Sequence, residues 1–230
     1  MKKANYQLFL KMLDELNSFI VEEYDSNYKL DVRAIGGFSM IIHKKLGNID
    51  SPREESRDID SLTRDYPIEI INKIKEIGQK YEMDDPDGWL NNHWNKTKKY
   101  NEEFEFFINW KQLQDCNFSN INVYYANLEA LLMFKIRAMD DRIHLAKLEP
   151  REQDIIDVIS IFRAFDIDNL NNIENEHIKN TIQYFPYAIN FLIDKGFIEG
   201  EKYTITNSLS RRRQLLLEYF EAIINSNSEM

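Results

Sequence analysis

The pattern of this chain breaks at Gly36-Gly37, and that break constrains the fold more than any other feature. Val32-Arg33-Ala34-Ile35 is a short strand-like run, and after the two glycines the chain restarts as the helix-compatible Phe38-Ser39-Met40-Ile41-Ile42-His43-Lys44-Lys45-Leu46. The expected unit is strand, glycine turn, helix. Two glycines let the backbone approach a phosphate closely, and the first turn of the helix presents free N–H groups and a positive dipole end. Ser39, in that turn, adds a hydroxyl donor. Gly36, Gly37 and Ser39 are therefore candidate nucleotide-binding residues. The competing reading is a tight turn or close helix packing, which uses the same residues.

A polar connection containing Pro52 leads to Arg57-Asp58-Ile59-Asp60-Ser61-Leu62-Thr63, which alternates polar and apolar as a half-buried strand does. Residues two apart on a strand share a face, so Asp58 and Asp60 can share one or two Mg2+ ions, or Mn2+, through oxygen ligands. Two carboxylates that close repel, and a bound dication is the usual compensation in a phosphoryl-transfer site. Viewed alone, the pair also fits a solvent-facing strand. Its position after the glycine turn favours chemistry.

The rest of the chain reads as a small mixed sheet followed by a helical half. Phe9, Met12, Leu13, Leu16, Phe19 and Ile20 mark an amphipathic helix over 6–24, and Ile68, Ile71, Ile74 and Ile77 another over 67–81. Strands are expected at 103–110 and 121–126. Helices are expected at 128–145, at 151–164 and beyond 174, with a small hairpin at 196–206. The expected class is α+β, with an α/β core over 1–126 and a helical region over 127–230. Seven Gly and five Pro in 230 residues agree with helix-rich structure rather than a turn-rich barrel.

Composition narrows the setting. The net charge of -10 repels polyanions, so duplex DNA is not an expected partner. Lys44-Lys45, Lys96 to Lys99 and Arg211 to Arg213 are short basic runs that read as solvated faces. Cys116 is the single cysteine and excludes an internal disulfide, while the four His fall at no zinc-ligand spacing. Asp14 and Glu15 interrupt the first apolar run, and no stretch approaches the about 18 apolar residues of a membrane span. A cytoplasmic location without membrane contact is the expectation.

Taken together, Ala34-Ile35-Gly36-Gly37-Phe38-Ser39 followed by Arg57-Asp58-Ile59-Asp60-Ser61-Leu62 resembles the nucleotidyltransferase superfamily, with its Gly-Gly/Ser element and Asp-apolar-Asp strand. Within it, the chain looks closest to minimal bacterial nucleotidyltransferases related to AbiEii-type toxins of type IV toxin–antitoxin systems. Trp89-Leu90-Asn91 is similar to a Trp-Leu-Asn of some of these proteins. Leu128 to Arg142 looks like their helix with an inward lysine, which would be Lys135, with Arg142 near its end. Arg151 to Phe162 resembles their Asp-x-x-Asp helix, carried by Asp154 and Asp157. The resemblance covers roughly residues 30 to 165.

The resemblance implies a nucleotidyltransferase-like sheet with flanking helices, and transfer of a nucleoside monophosphate from an NTP to a protein or RNA hydroxyl. Asp58 and Asp60 would bind Mg2+, Gly36, Gly37 and Ser39 would hold the triphosphate, and Lys135 would stabilise charge. A toxin role would bring a cognate antitoxin as partner. Two departures stand out. The connection from Gly37 to Asp58 is longer than in many members, and the later strand offers Asn122 where a third carboxylate is usual. Glu105 and Asp154 are the candidate replacements. The alternative is a catalytically inactive nucleotide-binding or protein-interaction module of the same fold.

The residues also permit plainer roles. Lys135 in Leu131-Leu132-Met133-Phe134-Lys135-Ile136 must snorkel or meet an anion, either a phosphate or Asp58 and Asp60. Arg142 and Asp157 read as helix–helix ion-pair residues. His43 reads as packed rather than facing the site, His93, His144 and His177 lack partners at ligand spacing, and Cys116 lacks a nucleophile's setting. Trp89, Trp94 and Trp110 read as anchors rather than base-stacking platforms.

Overall fold

The computed structural model describes residues 2–62, 65–92 and 108–205. Among these the architecture is α+β, with seven α-helices and a mixed sheet. The described residues form two compact units, one of residues 2–48, 52–92 and 108–127, the other of residues 49–51 and 128–205.

The first unit opens with the two-residue strand β1 (Ala4–Asn5) and helix α1 (Tyr6–Glu23). The Asn5 side chain accepts a hydrogen bond from the backbone N–H of Leu8 at 2.9 Å, closing the start of the helix. Phe9, Met12, Leu13, Leu16 and Ile20 are buried at helical spacing. Then follow β2 (Leu30–Ile35), α2 (Gly36–Lys45), β3 (Glu55–Ser56), β4 (Ile59–Ser61), α3 (Ile68–Lys80), β5 (Leu90–Asn91), β6 (Lys111–Gln112) and β7 (Ile121–Tyr125). β1 pairs with β3, and the five-stranded sheet has the order β5-β4-β2-β7-β6. β2 runs antiparallel to β4 and parallel to β7, β4 runs parallel to β5, and β6 runs antiparallel to β7.

Strand alternation gives this sheet two unlike faces. Leu30, Val32, Ala34, Ile59, Leu90, Ile121 and Val123 join residues of α1, α2 and α3 in one hydrophobic core. Trp89 is fully buried, and its indole N–H donates to the Ile74 carbonyl at 2.7 Å, fixing α3 beside β5. It serves as an anchor. On the other face the register aligns Asp31 with Asn122, Arg33 with Tyr124, and Asp60 with Asn91. One side of the sheet is thus core and the other polar.

The second unit contains α4 (Leu128–His144), α5 (Glu152–Ala164), a 3-10 turn (Leu170–Asn172), α6 (Glu176–Gln183) and α7 (Pro186–Asp194). Asp140, fully buried on α4, accepts from the N–H groups of Tyr187 and Ala188 at 2.9 and 3.1 Å. A carboxylate there meets the positive end of α7. Arg142 donates to the Glu149 carbonyl at 2.6 Å, so it fastens the α4–α5 turn to backbone rather than to an acidic side chain.

Three expectations differ from this architecture. The strand expected at 57–63 is Ile59–Ser61, with Asp58 immediately ahead of it. Of the strand expected at 103–110, residues 103–107 lie outside the described residues, Ile108 to Trp110 are not in a strand, and pairing begins at Lys111. No hairpin forms over the described part of 196–206. Glu199 instead bridges to Asn169, and the Asn190 side chain exchanges two hydrogen bonds, at 2.9 and 2.8 Å, with the backbone of Tyr203. A side-chain amide here does what a partner strand was expected to do. Among the described residues no helix is long and apolar enough to cross a membrane.

Candidate active site

The glycine turn and the aspartate pair come together because β2 and β4 pair directly. The register places Ile35 opposite Asp60, so the next residue, Gly36, lies against that carboxylate. Gly36 has φ +67°, and a Cβ on it would stand 2.5 Å from Asp60 Oδ2. Both facts exclude a side chain: the left-handed conformation is costly for L residues, and the volume belongs to the carboxylate. Gly37 is held as closely on its other side, where a Cβ would collide with the side chains of Ser56 and Arg53. Helix α2 starts at this point with no side-chain cap and no acidic residue in its first turn. Its positive end therefore faces the carboxylate region.

Asp58 and Asp60 are both half-buried and flank the fully buried Ile59, as alternation requires. Asn91, on the neighbouring strand in register with Asp60, points its amide nitrogen at both. The nitrogen is 3.3 Å from Asp58 Oδ2, 3.4 Å from Asp60 Oδ1 and 3.2 Å from the Gly88 carbonyl. Two carboxylates and one amide thus converge beside a helix start. The chemistry this permits is binding of a divalent cation by Asp58 and Asp60, with backbone N–H groups close by for an anion. Among the described residues no three His, Cys, Asp or Glu side chains group to hold a metal ion.

The other expected residues take distinct places. The Ser39 hydroxyl is fully buried and donates to the Ala34 carbonyl at 2.7 Å, tying α2 back to β2. With that hydroxyl committed, the anion-facing donors of the turn are backbone groups. Asn122 donates to Asp31 Oδ1 at 2.9 Å within the β2–β7 pair. His43 is buried and uses both ring nitrogens: Nδ1 accepts from the Asn48 amide at 3.1 Å, and Nε2–H donates to the Ala126 carbonyl at 2.8 Å. Both contacts hold the imidazole as a packed side chain. Glu105, His93 and Trp94, with Lys96 to Lys99 and Arg211 to Arg213, lie outside the described residues.

Lys135 and Asp154 belong to the second unit. The Lys135 ammonium is 3.1 Å from Asp154 Oδ1 and 2.8 Å from Asp157 Oδ2, and the Gln153 amide donates to Asp157 Oδ1 at 3.1 Å. Lys135 is 8% exposed and Asp157 fully buried. This cluster accounts for a buried lysine without any nucleotide.

Two residues that the sequence does not single out for the site border it. Asn91 stood out only through its Trp-Leu-Asn context, because its contact with both aspartates depends on the β4–β5 register. Arg53, buried beside Gly37, sits in the irregular Pro52 connection, and no periodicity marks it. Comparison with family models, with curated proteins and with solved structures finds no match for this chain.

Proposed function

We propose that this protein is a metal-dependent nucleotidyltransferase that moves a nucleoside monophosphate from an NTP to a hydroxyl of a protein or RNA acceptor. The observation that carries this reading is the placement of Gly36, at the uncapped start of α2, directly against Asp60, with Asp58 on the same face. A glycine turn that offers backbone donors to phosphates is thereby joined to a carboxylate pair suited to Mg2+ or Mn2+.

In this reading Asp58 and Asp60 hold the cation. They fit it, since both are half-buried oxygen donors drawn toward one point by a single amide. The cation would neutralise the triphosphate and lower the pKa of the attacking hydroxyl. Gly36 and Gly37 allow the triphosphate to approach the helix start, where N–H groups receive charge on its oxygens. Ser39 holds the turn in shape through Ala34. The acceptor oxygen forms a bond to the α-phosphorus, the bond to pyrophosphate breaks, and the hydroxyl proton leaves to a carboxylate or water. Lys135 and Asp154 serve the α4–α5 pairing, and the overall acidity favours a protein acceptor over RNA. A toxin role countered by a cognate antitoxin follows from the sequence resemblance.

A second reading, a nucleotide-binding module without turnover, is favoured by one observation: Asn91, not a carboxylate, stands beside Asp60. One experiment separates the two. Incubation with labelled NTPs, Mg2+ and cell lysate should label a protein or RNA, and Asp58→Asn should abolish the label while NTP binding persists. Equal labelling by Asp58→Asn would sink the metal assignment. NTP binding without transfer to any acceptor would select the module.

A further inference from the structure

We infer that Trp110 and Tyr124 form a nucleobase subsite on the polar face of the sheet, with Tyr124 as the stacking surface and the Trp110 indole N–H as donor to an acceptor atom of the base. This rests on the reading that the glycine turn with Asp58 and Asp60 takes the triphosphate, and it adds the part of the site that tells a nucleotide from bare polyphosphate.

The two side chains share a face. Ile121, Val123 and Tyr125 of β7 join the hydrophobic core, so Tyr124 projects on the other side, where the register sets it between Arg33 of β2 and Gln112 of β6. Leu113, just past β6, also joins the core, and its N–H donates to the Val123 carbonyl at 2.8 Å. Trp110, three residues earlier, falls on the face of Tyr124 and packs neither in that core nor against it. The alignment with the end of β7 holds to this point, because the Asn109 N–H donates to Asn127 Oδ1 at 3.2 Å. Trp110 therefore stands beside Ala126, whose N–H donates to the Ala34 carbonyl at 3.1 Å, next to Ile35, the residue paired with Asp60. Asp60 and Trp110 thus occupy one row across the sheet, three strand spacings or about 14 Å apart. Phosphates at the Asp60 end and a base at the Trp110 end is the order in which a nucleotide would cover that span.

The polar atoms name the ligand's chemistry. The Trp89 indole N–H donates to the Ile74 carbonyl at 2.7 Å, whereas Trp110 Nε1 is buried and has no acceptor among the described residues. Native interiors rarely keep such a donor unpaired unless another group fills the position. Tyr124 is half-buried, and among the described residues its side chain makes no hydrogen bond, ion pair or ring contact. An apolar side chain would cover the ring and leave the N–H unpaired, and an anion would meet the N–H and leave the ring bare. A nucleobase serves both, offering a π-face to Tyr124 and a carbonyl oxygen or ring nitrogen to Trp110.

The test titrates the full-length chain by calorimetry with ATP, GTP, CTP and UTP, each with Mg2+, and with tripolyphosphate, which has no base. It compares the wild type, Tyr124→Leu, Trp110→Phe and Asp58→Asn, and follows ligand-free thermal unfolding. The expected result is an NTP that the wild type binds more tightly than tripolyphosphate. Tyr124→Leu should weaken that NTP about tenfold and Trp110→Phe about two- to tenfold, with tripolyphosphate binding unchanged, whereas Asp58→Asn weakens both ligands. Trp110→Phe, having lost an unpaired donor, should unfold at or above the wild-type temperature. Wild-type NTP affinity in both aromatic variants, with Asp58→Asn losing both ligands, would overturn the inference and leave the phosphate reading standing. Equal loss of NTP and tripolyphosphate, or a lower unfolding temperature for Trp110→Phe, would mark a structural role and overturn it as well. Absence of any NTP binding by the wild type would bring down the underlying reading too.

Discussion

Two aspartate pairs in this protein are handled in opposite ways. Asp154 and Asp157, three apart on α5, close on the Lys135 ammonium at 3.1 and 2.8 Å, and Gln153 takes up a further oxygen of Asp157. Asp58 and Asp60, two apart at β4, receive a neutral amide at 3.3 and 3.4 Å. The first pair carries its counter-charge within the fold, with Asp157 fully buried and Asp154 partly so. The second pair remains half-exposed, next to a helix start. An internal ammonium closes the first cluster, whereas a neutral amide bridges the second at longer distances, and in the proposed reading it is the second that takes a divalent cation from solution.

The strongest test of this contrast is removal of the internal cation. Lys135→Met leaves two carboxylates in a buried setting without their cation, and should destabilise the protein by about 3–5 kcal/mol. Urea unfolding followed by circular dichroism measures this. A loss below about 1 kcal/mol would mean that water already reaches the cluster, and the contrast with Asp58 and Asp60 would collapse.

Gly36→Ala comes next. It places a β-carbon 2.5 Å from Asp60 Oδ2 at a backbone φ of +67°. The left-handed conformation alone costs roughly 1–2 kcal/mol, and the displaced carboxylate should weaken Mn2+ binding in addition. Unfolding and Mn2+ titration read the two effects separately. Unchanged Mn2+ affinity would show that the turn and the carboxylates are independent.

Asp58→Asn should have a smaller effect on stability and in the opposite direction to Lys135→Met. It removes one of two neighbouring like charges, so metal-free stability should hold or rise by less than about 0.5 kcal/mol. A clear loss in the same urea assay would show that Asp58 is a structural partner, as Asp157 is.

The fold was more legible than the site, for a physical reason. Helices α1, α3 and α5 bury their residues at helical spacing, and apolar period survives in sequence because burial imposes it, whereas α4 is buried all round from Ala130 to Ile136. Gly36 was legible because its backbone conformation excludes other residues. Asn91 and Arg53 were not, because the first depends on which strand β5 pairs with and the second on the path of an irregular connection. The 196–206 hairpin failed because alternating polar and apolar residues also suit an extended segment pinned by one asparagine, as Asn190 pins Tyr203. Ser39 showed the same limit: its sequence position fits a phosphate donor, but only the packing reveals that its hydroxyl serves Ala34.

Glu15 sets the scale for ion pairs at the surface. Burial raises the pKa of Glu15, but hydrogen bonds from Lys80 and Tyr81 and the charges of Lys80 and Lys11 outweigh it and hold the group below its ordinary value. The same contact, together with burial, pushes the Tyr81 hydroxyl up to about 12. A carboxyl whose pKa is lower folded than unfolded stabilises the protein above its unfolded value, about 4.3 for glutamate, and loses that contribution as pH falls through the folded value. Solvent screening keeps the contribution under about 0.5 kcal/mol. Glu15→Gln should therefore melt slightly below the wild type at pH 7, and the gap should close as pH falls through the lowered folded value. A gap that persists at low pH would trace the effect to packing of the Glu15 stem against Tyr81, and would leave the buried Lys135 cluster as the clearer case of charge stabilising this fold.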